Sequence, residues 1–594
     1  MAADINIDRK NVQGYLSEYG PFTIPVYQRP YTWSEDEELQ TLFDDLTEYV
    51  SSGDSKKHEY FLGCIVSCKD GDDKQEIIDG QQRLTTLFLI LRAIYSKCYD
   101  EVQDYESQPG FSLAGAKSQG YKTASNFCDR IKRTLWQCDK KTGDPFYDKI
   151  LLESKANNDE TNVVLHEILK KGVVDIEAKD QYSKNYRKIK ELLDEYASEH
   201  VAAFYDLVDA ILDKIVVLPI WANDRDIALT IFDTLNNRGK PLSDADIFKA
   251  KIFDSKTSKK DKDAFIGEWK NLETEISQLE DESMQKLFTY YMYYLRGRAD
   301  DVSTTAEAVR KYYKGEDKSW SRLSDPNLMS NLKLITNIFK VINRHEDDVD
   351  EPWASDIEIR KSLDIIRYYP NEYWKYPVII YYLEHHNRKQ FVDDFNAFLH
   401  KLISQLLTRF VDNPSLNHVK SDILKLDAAI KKSPKPEFSF KPYEDLDFKN
   451  KIQNPKDKIT RMLLSVVAYH CGKKVNSDFC EKINSQKDLL PEKWEIEHIF
   501  PQKYKKSDFP NMASEQIDEI IECIGNKMPL EKKINCEAKD GFFEEKKKRY
   551  EKTAIALAKD LAESKLTDWK FDNINTRKVH TADAVAKLMK KWDE

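Results

Sequence analysis

The chain has 594 residues, 41% of them hydrophobic and 11% aromatic, which is ample for several packed cores and excludes a wholly disordered polymer. Its 92 basic residues against 103 acidic ones give a net charge of -11, which excludes a histone-like polycation but leaves room for a local basic groove. At ~150 residues per domain the length predicts roughly three to four domains, and the scarcity of Gly (18) and Pro (20) favours helix.

The opening residues carry no apolar h-region of a secretory leader. Apolar runs such as 87–91 fall far short of the ~20 residues that cross a bilayer, so a cytoplasmic protein without a membrane partner is expected. Nine Cys with no Cys-x-x-Cys pair read as reduced, buried thiols rather than as a zinc framework or a disulfide scaffold.

Residues 1–255 mix strand and helix signals. Thr23-Ile-Pro-Val-Tyr27 is an extended run, and Ser34-Glu-Asp-Glu37 is a capping box ahead of Leu39, Leu42, Phe43 and Leu46 at helical spacing. Residues 60–68 and 75–79 are β-rich and joined by Asp70-Gly-Asp-Asp73, which predicts a hairpin. Its second strand runs into Asp79-Gly-Gln-Gln-Arg83 and then a buried helix over 84–95. Ile215-Val-Val-Leu-Pro-Ile220 is a further strand. A helix from about Asp226 should stop at Gly239, and Ser243-Asp-Ala-Asp246 opens the next with a second capping box.

Residues 256–455 are mostly helical, with Tyr-rich stretches such as 287–295 and 376–383 that read as helix-packing core. His385 and His386 point about 100° apart on a helix, which suits a surface or capping role better than a metal. Residues 456–594 form a smaller region: a helical lead-in, a strand over 494–500, a helix near 515–524 and a long charged helix from about Phe542.

The strongest chemical signal is Ile496-Glu-His-Ile-Phe-Pro-Gln502, followed by Ile524-Gly-Asn-Lys-Met-Pro-Leu530 and Asn535. Cutting a phosphodiester needs a base to activate water and a cation to neutralise the leaving oxyanion. Adjacent strand side chains diverge, so Glu497 can face a cation while His498 faces the water. Amide oxygens such as those of Asn526 and Asn535 are hard donors suited to Mg²⁺ or Mn²⁺. A satisfied strand histidine with turn-forming Asn residues is the bland alternative, and the ordered set argues against it. The segment resembles the ββα-metal motif of HNH nucleases, with Phe543-x-x-Lys546-x-x-x-Tyr550 after it. The resemblance implies His498 as general base, Glu497 and Asn535 as metal ligands, Asn526 as the residue that orients the His-bearing loop, and Lys546 as a phosphate contact. Glu stands where many such motifs have Asp or His.

A second signal lies in Ile24-Pro-Val-Tyr-Gln-Arg-Pro-Tyr-Thr-Trp33 and Ile77-Ile-Asp-Gly-Gln-Gln-Arg83. A strand that ends in Asp79-Gly80 and turns into a helix presents free backbone N–H groups beside Gln81, Gln82 and Arg83, a phosphate-binding geometry in which Asp79 holds a cation or polarises a water. A polar turn in which Arg83 pairs with Asp79 fits the spacing equally well. These strings, with Ile231-Phe-Asp-Thr-Leu-Asn-Asn-Arg-Gly-Lys-Pro-Leu-Ser-Asp-Ala-Asp-Ile-Phe-Lys249, resemble the ParB-like N-terminal domain of GmrSD-type modification-dependent (type IV) restriction endonucleases, which have SspE- and BrxU-type relatives. The resemblance implies NTP (ATP or GTP) binding and hydrolysis at Asp79, Gly80, Gln81, Gln82 and Arg83, with Asn236, Arg238, Asp246 and Lys249 completing the pocket. In the SspE-like branch Tyr27, Gln28 and Arg29 would line a DNA-sensing cavity.

The expected architecture is multidomain α+β. It has a ParB-like α/β nucleotide-binding and DNA-sensing domain over 1–255, a helical connecting domain over 256–455, and a helical nuclease domain carrying the ββα-metal motif over 456–594. The expected function is an NTP-regulated, modification-dependent endonuclease that cuts modified phage DNA, such as glucosylated hydroxymethylcytosine DNA, in anti-phage defence. One alternative is an SspE-like phosphorothioate-sensing NTPase that nicks DNA. The other is a nucleotide-switched DNA-binding protein with an inactive HNH fold. Double-stranded DNA is the expected partner, and a homodimer is left open. Basic runs at 503–506 and 546–549, with Lys451, Lys456, Lys458 and Arg461, read as solvated helix faces unless they flank one groove.

Overall fold

The β-rich hairpin and the apolar run at 215 meet in one mixed sheet. The computed structural model describes residues 5–69, 74–107, 119–156, 159–200, 203–223, 225–235, 243–415, 417–440, 445–504, 512–538 and 541–594. The chain divides into two units, Met1–Ile266 and Gly267–Glu594.

In the first unit the strands are β1 (Ile5–Ile7), β2 (Lys10–Asn11), β3 (Phe22–Ile24), β4 (Tyr60–Lys69), β5 (Gln75–Asp79), β6 (Trp136–Cys138), β7 (Pro145–Ile150), β8 (Leu152–Ser154) and β9 (Ile215–Ala222). The sheet order is β1-β9-β4-β5-β3-β8, with β2 also on β9 and β6-β7 forming a separate ribbon. β4 and β5 are the antiparallel hairpin, β4 runs parallel to β9, and β3 lies parallel to both β5 and β8. Central parallel strands must be buried on both faces, which is why β9 reads as a continuous apolar run rather than as an alternation. Helix Gln81–Ser107 leaves β5 through Gly80 at φ 87°, a backbone region that a Cβ disfavours. Leu84, Leu87, Phe88 and Leu91 on this helix join Phe22, Ile65 and Ile77 of the sheet in one core.

The capping boxes form with one difference. Ser243 and Asp246 cap helix Asp244–Ser255 reciprocally, as the sequence predicts. At Ser34 the first turn is π-wound, Glu35–Leu39, ahead of helix Gln40–Ser51. Leu39 N bonds Ser34 O, and Glu38 rather than Glu37 returns its carboxylate to Ser34 N at 2.9 Å. A wider turn carries the reciprocating side chain one residue further along. The predicted stop of helix Arg225–Leu235 at Gly239 lies outside the described residues.

The second unit is a helical stack with a small hairpin, β10 (Trp494–His498) antiparallel to β11 (Lys527–Glu531), followed by helix Lys532–Ala538. The Tyr-rich stretches are core: Tyr290, Tyr291, Tyr381 and Tyr382 are buried. His385 bonds the carbonyl of Ile430 and His386 that of Tyr382. The long helix expected from Phe542 is three helices, Phe543–Tyr550, Ala556–Glu563 and Phe571–Asp593. The first break forms where the Glu531 carboxylate accepts from Thr553 Oγ1 at 2.7 Å and from Ala554 N at 2.8 Å, pulling the chain off the helix path. The regions expected over 256–455 and 456–594 lie in one unit from Gly267 onward. Helix Phe571–Asp593 buries Ala582, Val585, Ala586 and Met589, and Ser404 of helix Phe391–Asp412 donates to Met589 O at 2.8 Å. Among the described residues, no helix is long and apolar enough to cross a membrane.

Candidate functional site

β10 pairs with β11 so that Glu497 faces Met528 and His498 faces Lys527 across the ladder. Strand alternation then sends Glu497 inward and His498 to the opposite face. Asn526, which has no solvent exposure, fixes the turn after His498. Its Oδ1 accepts from Phe500 N at 2.7 Å, and its Nδ2 donates to Phe500 O and Ile521 O at 3.0 Å each. Ile499 N donates to Asn526 O at 2.9 Å. Arg577, fully buried, lies behind this turn and donates to the carbonyls of Gly525 at 2.9 Å and Lys527 at 2.8 Å.

His498 Nε2 lies 3.2 Å from Glu522 Oε2. Gln502 Nε2 donates to Glu522 Oε1 at 2.7 Å, and Lys527 Nζ is 2.6 Å from Glu522 Oε2. Burial opposes ionisation of Glu522, yet the hydrogen bonds from Lys527 and Gln502 win and bring its carboxyl down to about 2. For His498 burial is the largest effect and lowers the imidazole below its usual value, with Glu522 pulling partly the other way. The ring is therefore neutral near pH 7, the state a general base requires.

Glu497 is 4% exposed. Its Oε1 accepts from Lys546 Nζ at 2.9 Å and from Tyr550 OH at 2.6 Å. Burial raises its carboxyl above the ordinary value, against the opposing pull of Lys546 and Tyr550. Lys546 is 1% exposed and also donates to His498 O at 2.5 Å, so its ammonium faces inward onto Glu497 rather than outward toward a phosphate. Asn535, on the helix after β11, donates to Glu495 Oε2 at 3.2 Å rather than to Glu497. Glu495, Glu497 and the Asn535 amide are all hard oxygen donors, and alternation places the two carboxylates on one face of β10, a set that fits Mg²⁺ or Mn²⁺.

In the first unit the structure brings the two N-terminal strings together. Gln81 Nε2 donates to Arg29 O at 3.1 Å and Gln82 Nε2 to Pro30 O at 2.8 Å, while Thr32 N donates to Gln82 Oε1 at 2.9 Å. The two amides thus clamp residues 29–32. Arg83 Nη2 lies 3.6 Å from Asp79 Oδ2, and its Nη1 donates to Leu62 O at 3.2 Å. Gly63 sits against the same guanidinium, and a Cβ there would come within 1.8 Å of Nη1. Burial raises the Asp79 carboxyl, with Arg83 opposing. Tyr27 and Gln28 are buried: Tyr27 OH donates to Glu76, and Gln28 Nε2 donates to Ile78 O at 2.9 Å. Arg225 Nη2 donates to Glu76 Oε2 at 2.5 Å. Arg29 is the exposed member of that string, with Nε 3.8 Å from Asp246 Oδ2. Lys249 is buried on the helix that Asp246 caps. Asn236 and Arg238 lie outside the described residues, as do Lys505 and Lys506 of the basic run.

Glu522, Gln502, Arg577, Glu76 and Arg225 carry roles that sequence reasoning did not assign. Glu522 and Arg577 sit in charged helical stretches, where nothing in the spacing separates a partner of the site from a solvated face. Tyr550 stands inside the Phe543-x-x-Lys546-x-x-x-Tyr550 pattern, and its register with Lys546 on one helix face was the available signal.

Two family models match the chain: the N-terminal domain of GmrSD restriction endonucleases over residues 10–253, and the C-terminal domain of GmrSD restriction endonucleases over residues 443–583. No curated protein matches it. The first match covers the sheet and the clamped strings, and the second covers the β10–β11 hairpin and its surrounding helices.

Proposed function

The chain belongs to the GmrSD restriction endonuclease family, and from that premise we propose that it is an NTP-regulated endonuclease of modified phage DNA whose water is activated by His498. The observation that carries this reading is the His498 imidazole held through Nε2 against Glu522 at 3.2 Å. In the tautomer that carries its hydrogen on Nε2, His498 donates to Glu522 and leaves the Nδ1 lone pair to take the proton from water. Asn526 holds the turn that follows the base. Glu497 and Asn535 would hold a divalent ion, which when bound neutralises the leaving oxyanion. Lys546 pairs with the buried Glu497 carboxylate at 2.9 Å and opposes its neutralisation. In the first unit, the start of helix Gln81–Ser107 beside Asp79 supports nucleotide binding, since its N–H groups suit phosphate oxygens.

The test is cleavage of plain plasmid, glucosylated hydroxymethylcytosine phage DNA and phosphorothioated plasmid, each with Mg²⁺ or Mn²⁺ and with or without NTP. Selective cutting of the glucosylated DNA, lost by roughly 10²–10⁴-fold in His498→Ala, is the expected result. Nicking that requires phosphorothioate moves the protein to the SspE-like branch. NTP hydrolysis without any cutting leaves a nucleotide-switched DNA-binding protein.

A further inference from the structure

Three helical segments of the second unit converge on a cluster without an assigned role, made of residues outside the HNH-like motif. Glu358 lies in the first turn of helix Ile357–Ile366, His400 lies midway along helix Phe391–Asp412, and His470 lies in the π-wound turn Val467–Cys471. One donor atom from each side chain falls within 4.8 Å of the other two. π-Wound turns inside helices are rare and concentrate at functional sites, because the extra residue redirects a side chain that α-geometry would send elsewhere.

The two imidazoles are held in place, while their Nε2 atoms lack a hydrogen-bond partner among the described residues. The Trp592 ring stacks flat on His400 at 4.2 Å and meets His470 edge-on at 4.9 Å. Nε2 of His400 and Nε2 of His470 are both buried without a hydrogen-bond partner among the described residues. Buried ring nitrogens are normally satisfied, and a pair of neighbours left open calls for a ligand. Glu358 supplies the negative charge, with Lys361 Nζ donating to its Oε1 at 2.9 Å.

We propose that Glu358, His400 and His470 form a transition-metal site of the zinc class, distinct from the hard-cation site of β10. Two imidazoles and one carboxylate are a zinc donor set, whereas Mg²⁺ and Mn²⁺ favour oxygen ligands throughout. Tetrahedral coordination at ordinary Zn–N lengths places donors about 3.4 Å apart, so small side-chain rotations close the cluster from its present spacing. Three protein ligands leave the fourth position open. His470 also lines a cavity of 710 Å³ whose wall includes Lys473, Lys474, Lys587, Lys590 and Lys591. That concentration of positive charge favours an anionic oxygen as the fourth ligand.

The test uses the full chain, saturated with Zn²⁺, dialysed, and analysed for metal, in parallel with Co²⁺ titration followed by visible absorbance. One retained equivalent of zinc and an intense tetrahedral Co²⁺ band are expected, both unchanged in His498→Ala, which addresses the other site. The double variant His400→Gln, His470→Gln should bind more than about 100-fold more weakly, beyond what outer-sphere changes produce. Circular dichroism verifies its fold. If it misfolds, Glu358→Gln, which leaves both rings in place, must still abolish the Co²⁺ band or shift it. Zinc retained by the double variant, a band unaffected by Glu358→Gln, or no tight metal in the unmodified chain would overturn the proposal.

Discussion

The charge state of His498 follows from two opposed effects, and each can be removed separately. Burial lowers the imidazole below its ordinary value, and Glu522 partly restores it. A base is active when unprotonated, so kcat/KM should rise with pH along an acid limb whose midpoint lies below that of an ordinary imidazole. In Glu522→Gln the restoring charge is lost and the acid limb should move to still lower pH, with a drop in rate from the lost orientation. A limb that stays put or moves upward removes Glu522 from the role of positioning residue. The Glu522 carboxyl itself is depressed to about 2. Its contribution to stability is therefore present above the unfolded value near 4.5 and fades as pH falls toward about 2. Tyr550 offers a cleaner stability test. It is fully buried, and Tyr550→Phe deletes only the hydroxyl that Glu497 accepts. The expected cost is about 1–2 kcal/mol, read as a lower Tm, with the Glu497 carboxyl pushed further up.

At the scale of elements, the β10–β11 hairpin depends on the turn before β11. Asn526→Ala removes one acceptor and two donors from a site with no solvent and leaves Phe500 N unpaired. A loss of about 2–4 kcal/mol is expected by denaturant unfolding. A loss below about 1 kcal/mol would show that the turn is held elsewhere. Arg577→Met leaves the carbonyls of Gly525 and Lys527 without their donor and should cost about 3–5 kcal/mol. The elements most legible in the sequence were those with local causes. The hairpin showed itself through two β-rich runs, whose predicted turn at 70–73 lies outside the described residues, and the helix at Asp244 through its box. The π-wound turns at Glu35–Leu39 and Val467–Cys471 were not legible, because their i→i+5 bonding reflects packing rather than residue type. The break after Tyr550 was hidden for a related reason: Glu531, remote in sequence, captures the backbone there. Within the site, His498, Asn526 and Glu497 were visible as an ordered string, whereas Glu522 was one acid among many on a charged helix.

On the scale of the whole chain, residues on both sides of the expected division near 455 fall in one compact unit. Helix Phe571–Asp593 returns to the helical stack, with Ser404 and Gln405 donating to Met589 and Asp593. Residues 267–594 should therefore unfold in one transition when followed by near-UV ellipticity and by proteolysis. Deleting 571–594 should destabilise the helical stack together with the hairpin, since Arg577 supports the hairpin and Met589 the stack. Survival of a protease-resistant 267–455 core after that deletion would show two independently folding parts.

The sheet of the first unit has a consequence for how the chain reaches its native state. β4 finds β5 next to it in sequence, but its other edge waits for β9, which follows most of the unit later. A hairpin closes in microseconds, while pairing across so long a loop is slow. During that interval one edge of β4, a strand rich in apolar residues such as Ile65, Val66 and Cys68, leaves its backbone groups open to pair with another chain. Yield on refolding should accordingly fall with protein concentration, and the segment that suffers first should be 60–69.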